Sequence, residues 1–223
     1  ALVRLPIPSE LVVSMSQHLG APAKPIKEKG DHVEKGEKIA LASSFISADV
    51  HSPVSGTIKD IRKVTMANSV TCDAFVIEPD PQQPEAFTKK VDYQDYSKEK
   101  LLEEIKDKGI VGLGGATFPL HVKITIPAGR KVDALVINGV ECEPYLTADH
   151  RLMLERTKEV LEGIMICNRI LNPARTIIGI EENKKDAALA LEKEIELRSL
   201  PIEVCLLRMK YPQGDEKQLI NAT

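Results

Sequence analysis

The sequence predicts a two-part chain: a small β barrel or sandwich over residues 1–80, then an α/β layer with a parallel sheet over 97–223. Three observations carry this expectation. Short apolar segments separated by glycine and proline turns fill the first part. A proline-rich polar stretch, with Pro81, Pro84, Gln82, Gln83 and Glu85, makes 81–96 a linker. Beyond it, strand-like and helix-like apolar patterns alternate, which pairs successive strands in parallel.

The β part is read from Leu11-Val12-Val13, Ile39-Ala40-Leu41, Ala48-Asp49-Val50, Thr57-Ile58 and Ala74-Phe75-Val76-Ile77. Turn signals at Gly20-Ala21-Pro22, Gly30-Asp31, Gly36-Glu37 and Ser52-Pro53 separate them. Two of these turns belong to a specific pattern. Gly30-Asp31-His32-Val33-Glu34-Lys35-Gly36 precedes Pro53-Val54-Ser55-Gly56-Thr57-Ile58, which resembles the two hairpin halves of the biotinyl/lipoyl-type barrel-sandwich hybrid. The carrier versions of that fold hold a lysine between the halves. Here Ser43-Ser44-Phe45-Ile46-Ser47 stands there, so a scaffold without a swinging arm is expected. His18, His32 and His51 are isolated and have no second ligand at metal spacing, so each is expected in a turn or at the surface.

In the second part, Ser97 is placed to cap a helix over 98–108, with Leu101, Leu102 and Ile105 on one face and Gly109 closing it. Asp133-Ala134-Leu135-Val136-Ile137 is a buried strand. Thr147 or Asp149 caps a helical stretch that reaches Leu171, breaks near Thr157 and stops at Asn172-Pro173. Thr176–Ile180 and Ile202–Leu207 are further strands. Asn183 caps the intervening helix from Lys184 to about Arg198, whose charges form its solvated face.

Composition narrows the function. With 30 basic and 33 acidic residues the net charge is −3, which argues against nucleic acid and anionic membrane surfaces as partners. No apolar run is long enough to span a bilayer. Hydrophobic residues make up 43% of the chain, enough for a proper core. Cys72, Cys142, Cys167 and Cys205 form no C-x-x-C pair, so no metal or cluster ligand set is expected in this stretch, and scattered single cysteines suit a reducing compartment. The chain begins at Ala1 and reads as a piece of a longer protein.

Three loops carry candidate chemistry. Gly109-Ile110-Val111-Gly112-Leu113-Gly114-Gly115-Ala116-Thr117-Phe118-Pro119 is glycine-rich and uncharged, and Lys123 follows it. Glycines let a backbone press against a flat or phosphorylated ligand, and a Pro-started helical turn with a lysine suits an anion. A tight hydrophobic connection would use the same residues. The loop leaves a helix rather than a strand, so the ordinary dinucleotide fingerprint is excluded. Asn138-Gly139-Val140-Glu141-Cys142-Glu143-Pro144-Tyr145 follows the carboxyl end of a buried strand, where open α/β sheets hold ligands. A solvated turn is the plainer alternative. Tyr211-Pro212-Gln213-Gly214-Asp215-Glu216 follows the last strand.

Together these loops resemble the flavin- and NADH-binding subunit of respiratory NADH dehydrogenase and, more closely, the C subunit of the Rnf electron transport complex. "GIVGLGGATFP", "INGVECEPYLTADHRLMLE" and "YPQGDEKQLI" carry the likeness. The resemblance implies FMN and NAD(H) as cofactors, with hydride exchange between nicotinamide and flavin N5 and onward transfer of single electrons to 4Fe-4S clusters bound beyond residue 223. It implies Gly112, Gly114, Lys123, Asn138 and Glu141 at the flavin. Gly115, Phe118 and Glu143 would lie at the NADH. Tyr211, Gly214 and Asp215 would close the flavin pocket, with Glu216 toward the nicotinamide. No side-chain acid or base is required for the hydride step, so no catalytic residue is named. The expected partners are the other subunits of a membrane Rnf-type complex. The chain would sit peripherally on the cytoplasmic side of the membrane and insert nothing into it. Val140 and Cys142 stand where the respiratory subunit has aspartate and serine, and Asp215 where it has glutamate. A non-catalytic docking module of a redox complex is the rival expectation.

Overall fold

The computed structural model describes residues 2–3, 5–84, 92–113 and 115–223. The chain divides into two compact units, Leu5–Thr125 and Ile126–Thr223, the second including Leu2 and Val3.

The unit Leu5–Thr125 contains β1 (Leu11–Ser14), β2 (Lys24–Pro25), β3 (His32–Val33), β4 (Lys38–Leu41), β5 (Val50–His51), β6 (Gly56–Thr65) and β7 (Thr71–Pro79). A four-stranded antiparallel sheet runs β1-β7-β6-β3, and a smaller sheet runs β2-β4-β5. Val13, Met15, Val33, Ile39, Val50, Ile58, Phe75 and Ile77 form one core with their neighbours. β6 and β7 extend well past the expected Thr57–Ile58 and Ala74–Ile77. Beyond a register shift between Ile58 and Asp60, β6 carries Arg62 and Lys63 on an exposed ribbon, which an apolar pattern does not reveal. Lys63 pairs with Asp73 at 3.0 Å across that ribbon. Gln83, expected in the linker, exchanges hydrogen bonds with the backbone of Ser55; Glu85 lies outside the described residues.

The same unit holds α1 (Lys98–Asp107) and the single turn α2 (Leu120–Lys123). Ser97 caps α1 by accepting from the Lys100 amide. Leu101 and Ile105 are its buried face. At its end Gly109 takes φ +61°. The Gly109 amide donates to the Lys106 carbonyl and the Ile110 amide to that of Ile105, the paired closure that a left-handed glycine permits.

In the unit Ile126–Thr223, β8 (Ala134–Gly139), β9 (Arg175–Glu181) and β10 (Glu203–Leu207) form a parallel sheet in the order β10-β9-β8. α3 (Ala148–Glu155), α4 (Thr157–Leu171), α5 (Lys185–Arg198) and α6 (Glu216–Ala222) complete it. Met153, Leu161, Ile164, Ile178, Ile180, Ala187 and Leu191 pack between helices and sheet. The helical stretch is interrupted at Arg156, and α4 ends on Asn172 at φ +48°, in keeping with the Asn172-Pro173 stop. Two capping expectations fail. Thr147 precedes α3 without a side-chain bond, because the carboxylate of Glu141 takes the amides of Asp149 and His150. Asn183 lies in a 3₁₀ turn, and α5 starts at Lys185 after Lys184.

Candidate functional site

In the unit Leu5–Thr125, the glycine loop is tied across its base. The Gly112 amide donates to the Phe118 carbonyl at 2.9 Å, and Val111 bridges Pro119. Lys123 on α2 is exposed, and its Nζ stands 3.8 Å from where a Cβ on Gly112 would be. Lys123 forms no ion pair with another described residue. Gly115 has φ +151° and open space around its missing Cβ. Gly112, Phe118 and Lys123 are therefore brought together, with Gly115 open beside them in sequence; Gly114 lies outside the described residues. Since α2 is a single turn, any anion here would rest on the Lys123 charge and loop amides more than on a helix dipole.

In the unit Ile126–Thr223, the other two loops meet. Asn138 Nδ2 donates to the Gly214 carbonyl at 2.8 Å, and its Oδ1 accepts from the Val140 amide at 3.1 Å. A Cβ on Gly214 would stand 3.1 Å from Cys142 Sγ and 3.2 Å from the Val140 carbonyl, so the two loops pack tightly at this glycine. Val140 is buried with Leu207 and Leu219. An apolar residue at this position fastens the loop to the segment around β10 and α6. Asp215 caps α6 by accepting from the Lys217 and Gln218 amides. Glu143, Tyr211, Asp215 and Glu216 are exposed.

Glu141 points the other way. Its side chain is 4% exposed, and Lys184 Nζ lies 2.7 Å from its Oε2. Burial disfavours its charge, but the bond from Lys184 and the amides of Asp149 and His150 outweigh this and hold its pKa below the usual carboxylate range. Asp149 is pushed up, by burial and then by the Glu141 charge. Glu181 at the end of β9 is 1% exposed. Its Oε2 accepts from the Glu141 amide at 3.3 Å and lies 3.5 Å from Lys184 Nζ, while its Oε1 has no hydrogen-bond partner among the described residues. The sequence reading misses Glu181 as a site residue and places Lys184 on a solvated face. Their signal is the charged run Glu181-Glu182-Asn183-Lys184 at the carboxyl end of a buried strand, a position where polar groups are often functional.

Of the isolated histidines, only His32 is exposed, 2.8 Å from Asp80. His18 lies in the bend at 18–21, as a turn histidine, with its ring buried against the Ala48 amide and the Ser47 hydroxyl. His51 is half-buried, and burial lowers its pKa while the Asp107 backbone opposes that shift. No group of metal-ligating side chains occurs among the described residues, and no helix among them is long and apolar enough to cross a membrane.

Residues 105–223 match the Nuo51 FMN-binding domain, and residues 1–82 match the RnfC barrel sandwich hybrid domain. The chain is 43% identical over 218 residues to the C subunit of the proton-translocating ferredoxin:NAD(+) oxidoreductase complex of Clostridium ljungdahlii, covering 97% of this chain and 47% of that protein. It is 41% identical to the C subunit of the Na(+)-translocating ferredoxin:NAD(+) oxidoreductase complex of Acetobacterium woodii, covering 96% of this chain and 49% of the relative. The chain thus spans about half the length of these relatives. Among solved structures, an NAD+-reducing [NiFe]-hydrogenase in the H2-reduced state shares the fold over 56% of this chain and 24% of its own, with TM-score 0.52 and 22% identity.

Proposed function

The chain belongs to the Nuo51 FMN-binding domain family, and from that premise we propose that it is the NADH- and FMN-binding part of the C subunit of an ion-translocating ferredoxin:NAD oxidoreductase complex. The observation that carries this reading is that the matched stretch, 105–223, contains all three candidate loops. On this reading the chain divides into a barrel-sandwich part over 1–80, a linker over 81–96 and a cofactor part over 97–223.

The residues present suit a flavin mononucleotide. Gly112 and Gly115 leave room along the loop, and Lys123 offers an ammonium beside Gly112, unpaired among the described residues, for a phosphate. When bound, FMN supplies the exchange of a hydride with the nicotinamide and the passage of electrons singly to 4Fe-4S clusters elsewhere in the subunit. The chain's own residues bind and orient. Gly112 and Gly114 face the flavin, with Lys123 near its phosphate. Gly115, Phe118 and Glu143 face the dinucleotide, Phe118 by stacking on an aromatic ring. Asn138, fixed by Gly214, presents the flavin edge of its loop, while Tyr211 and Asp215 border it and Glu216 approaches the nicotinamide. Glu141 supports that edge from inside, because its carboxylate is engaged by Lys184 and the start of α3. Glu143 and Glu216 carry charge of the dinucleotide's own sign, so they suit ribose or ring groups and not phosphate.

The partners are the other subunits of the membrane complex, with the chain peripheral on its cytoplasmic side. Titration of the chain with FMN and then NADH, followed by flavin fluorescence and calorimetry, tests the reading. Saturable binding of both is expected. Absence of saturable binding of either leaves this stretch as a docking module.

A further inference from the structure

One end of the β layer touches the segment 107–121 at three points. At the start, a Cβ on Gly109 would stand 2.2 Å from the Asp49 carbonyl, so only glycine permits the approach. There Lys38 Nζ lies 2.7 Å from Asp49 Oδ2 and 2.6 Å from Asp107 Oδ1, and His51 Cε1 would stand 3.4 Å from that Cβ. In the middle, the Leu19 amide donates to the Thr117 carbonyl at 3.2 Å. At the far side, the backbone of Phe45 lies against the buried His121 of α2 and favours its charged form. The anchoring end is itself braced. Ser47 Oγ donates to the Ala21 carbonyl at 2.8 Å, the Ala48 amide donates to His18 Nε2 at 3.1 Å, and Asp49 Oδ1 accepts from the Ala42 amide at 2.7 Å.

We propose that the Ser43–Asp49 segment, together with the Leu19 turn, is an anchor that fixes the shape of the glycine loop, and that Lys38, Asp107 and His121 are positioning residues for it. The proposal rests on the reading of that loop as a cofactor cradle. The three contacts bracket the loop while leaving Gly115 and Lys123 open. A lysine-free tip on a barrel-sandwich scaffold thereby acquires a role, holding a ligand loop in one conformation before the ligand arrives. Preorganisation of this kind raises affinity by lowering the ordering cost of binding.

The test is amide hydrogen exchange on the ligand-free chain, paired with FMN titration. In Lys38→Met and in His121→Phe, the Gly112 amide should exchange about tenfold faster, with β6 and β7 unchanged. FMN affinity should fall by a similar factor, and Lys38→Arg should restore both. If Lys38→Met does not fold, His121→Phe carries the comparison. Unchanged Gly112 protection in the folded variants overturns the proposal. If the unsubstituted chain binds no FMN, the functional reading fails separately, and the exchange comparison still decides whether the anchor holds the loop.

Discussion

Lys184→Met removes the only cation within bonding distance of two buried carboxylates among the described residues. Lys184 is 7% exposed, Glu141 4% and Glu181 1%, and Nζ lies 2.7 Å and 3.5 Å from their Oε2 atoms. Methionine keeps most of the aliphatic stem, so packing is largely preserved and the change is electrostatic. Stripping one partner from a buried pair costs about 3–5 kcal/mol, because the charge left behind has no water to replace it. Against a stability of about 5–15 kcal/mol this is a large fraction. The assay is urea denaturation followed by circular dichroism, with the transition of the unit Ile126–Thr223 resolved from that of Leu5–Thr125. The variant should lose about 3–5 kcal/mol in the first and nothing in the second. Adding Glu141→Gln removes one uncompensated charge, and the double-mutant cycle should show coupling of about 1–3 kcal/mol. A loss below about 1 kcal/mol, the range of an exposed pair, would refute the claim that this network holds the acidic loop.

Other outcomes follow from single contacts. Gly214→Ala should cost about 1–3 kcal/mol by overpacking against Cys142 Sγ and the Val140 carbonyl, and it should weaken FMN binding; calorimetry checks both. Ser97→Ala should cost about 1 kcal/mol in the denaturation of the unit Leu5–Thr125, through loss of the α1 cap. His51 and His121 have pKa values lowered from 6.5, each first by burial and then by a nearby lysine, Lys38 for His51 and Lys106 for His121; Asp49 opposes both shifts and Asp107 that of His51. Their unfolded forms bind protons more readily, so stability is full above about pH 6.5 and falls as the pH drops toward the folded values. Denaturation midpoints of the unit Leu5–Thr125 across pH 5 to 8 should follow that slope, and His121→Phe should flatten it.

What the sequence revealed divides along the range of the interactions. α1 was legible from end to end, because Ser97 and Gly109 act on amides and carbonyls a few residues away. The parallel strands were legible from their continuous apolar runs. Glu141 was not. Its bond to Lys184 joins residues 43 apart, and it caps α3 from outside the usual N-cap position, so no local pattern reports either role. Lys184 read as surface for the same reason: periodicity places a residue on a face but does not say what covers that face. The polar half of β6 was missed because its stability lies in pairing with β7 and not in burial. The meeting of Asn138 with Gly214 could be anticipated only as two loops at the same end of one parallel sheet, after β8 and β10. The anchor on the glycine loop could not be anticipated at all, since Lys38, Asp49 and Asp107 carry no mutual spacing signal.

The most direct measurement of the central claim is a hydrogen-exchange footprint of FMN on this chain. Saturating FMN should slow exchange in 109–119, 138–145 and 211–217 together, with NADH adding protection around Gly115–Phe118 and Glu143. Protection confined to other segments, or none at FMN concentrations that saturate the fluorescence change, would contradict the assignment of these loops to the cofactors.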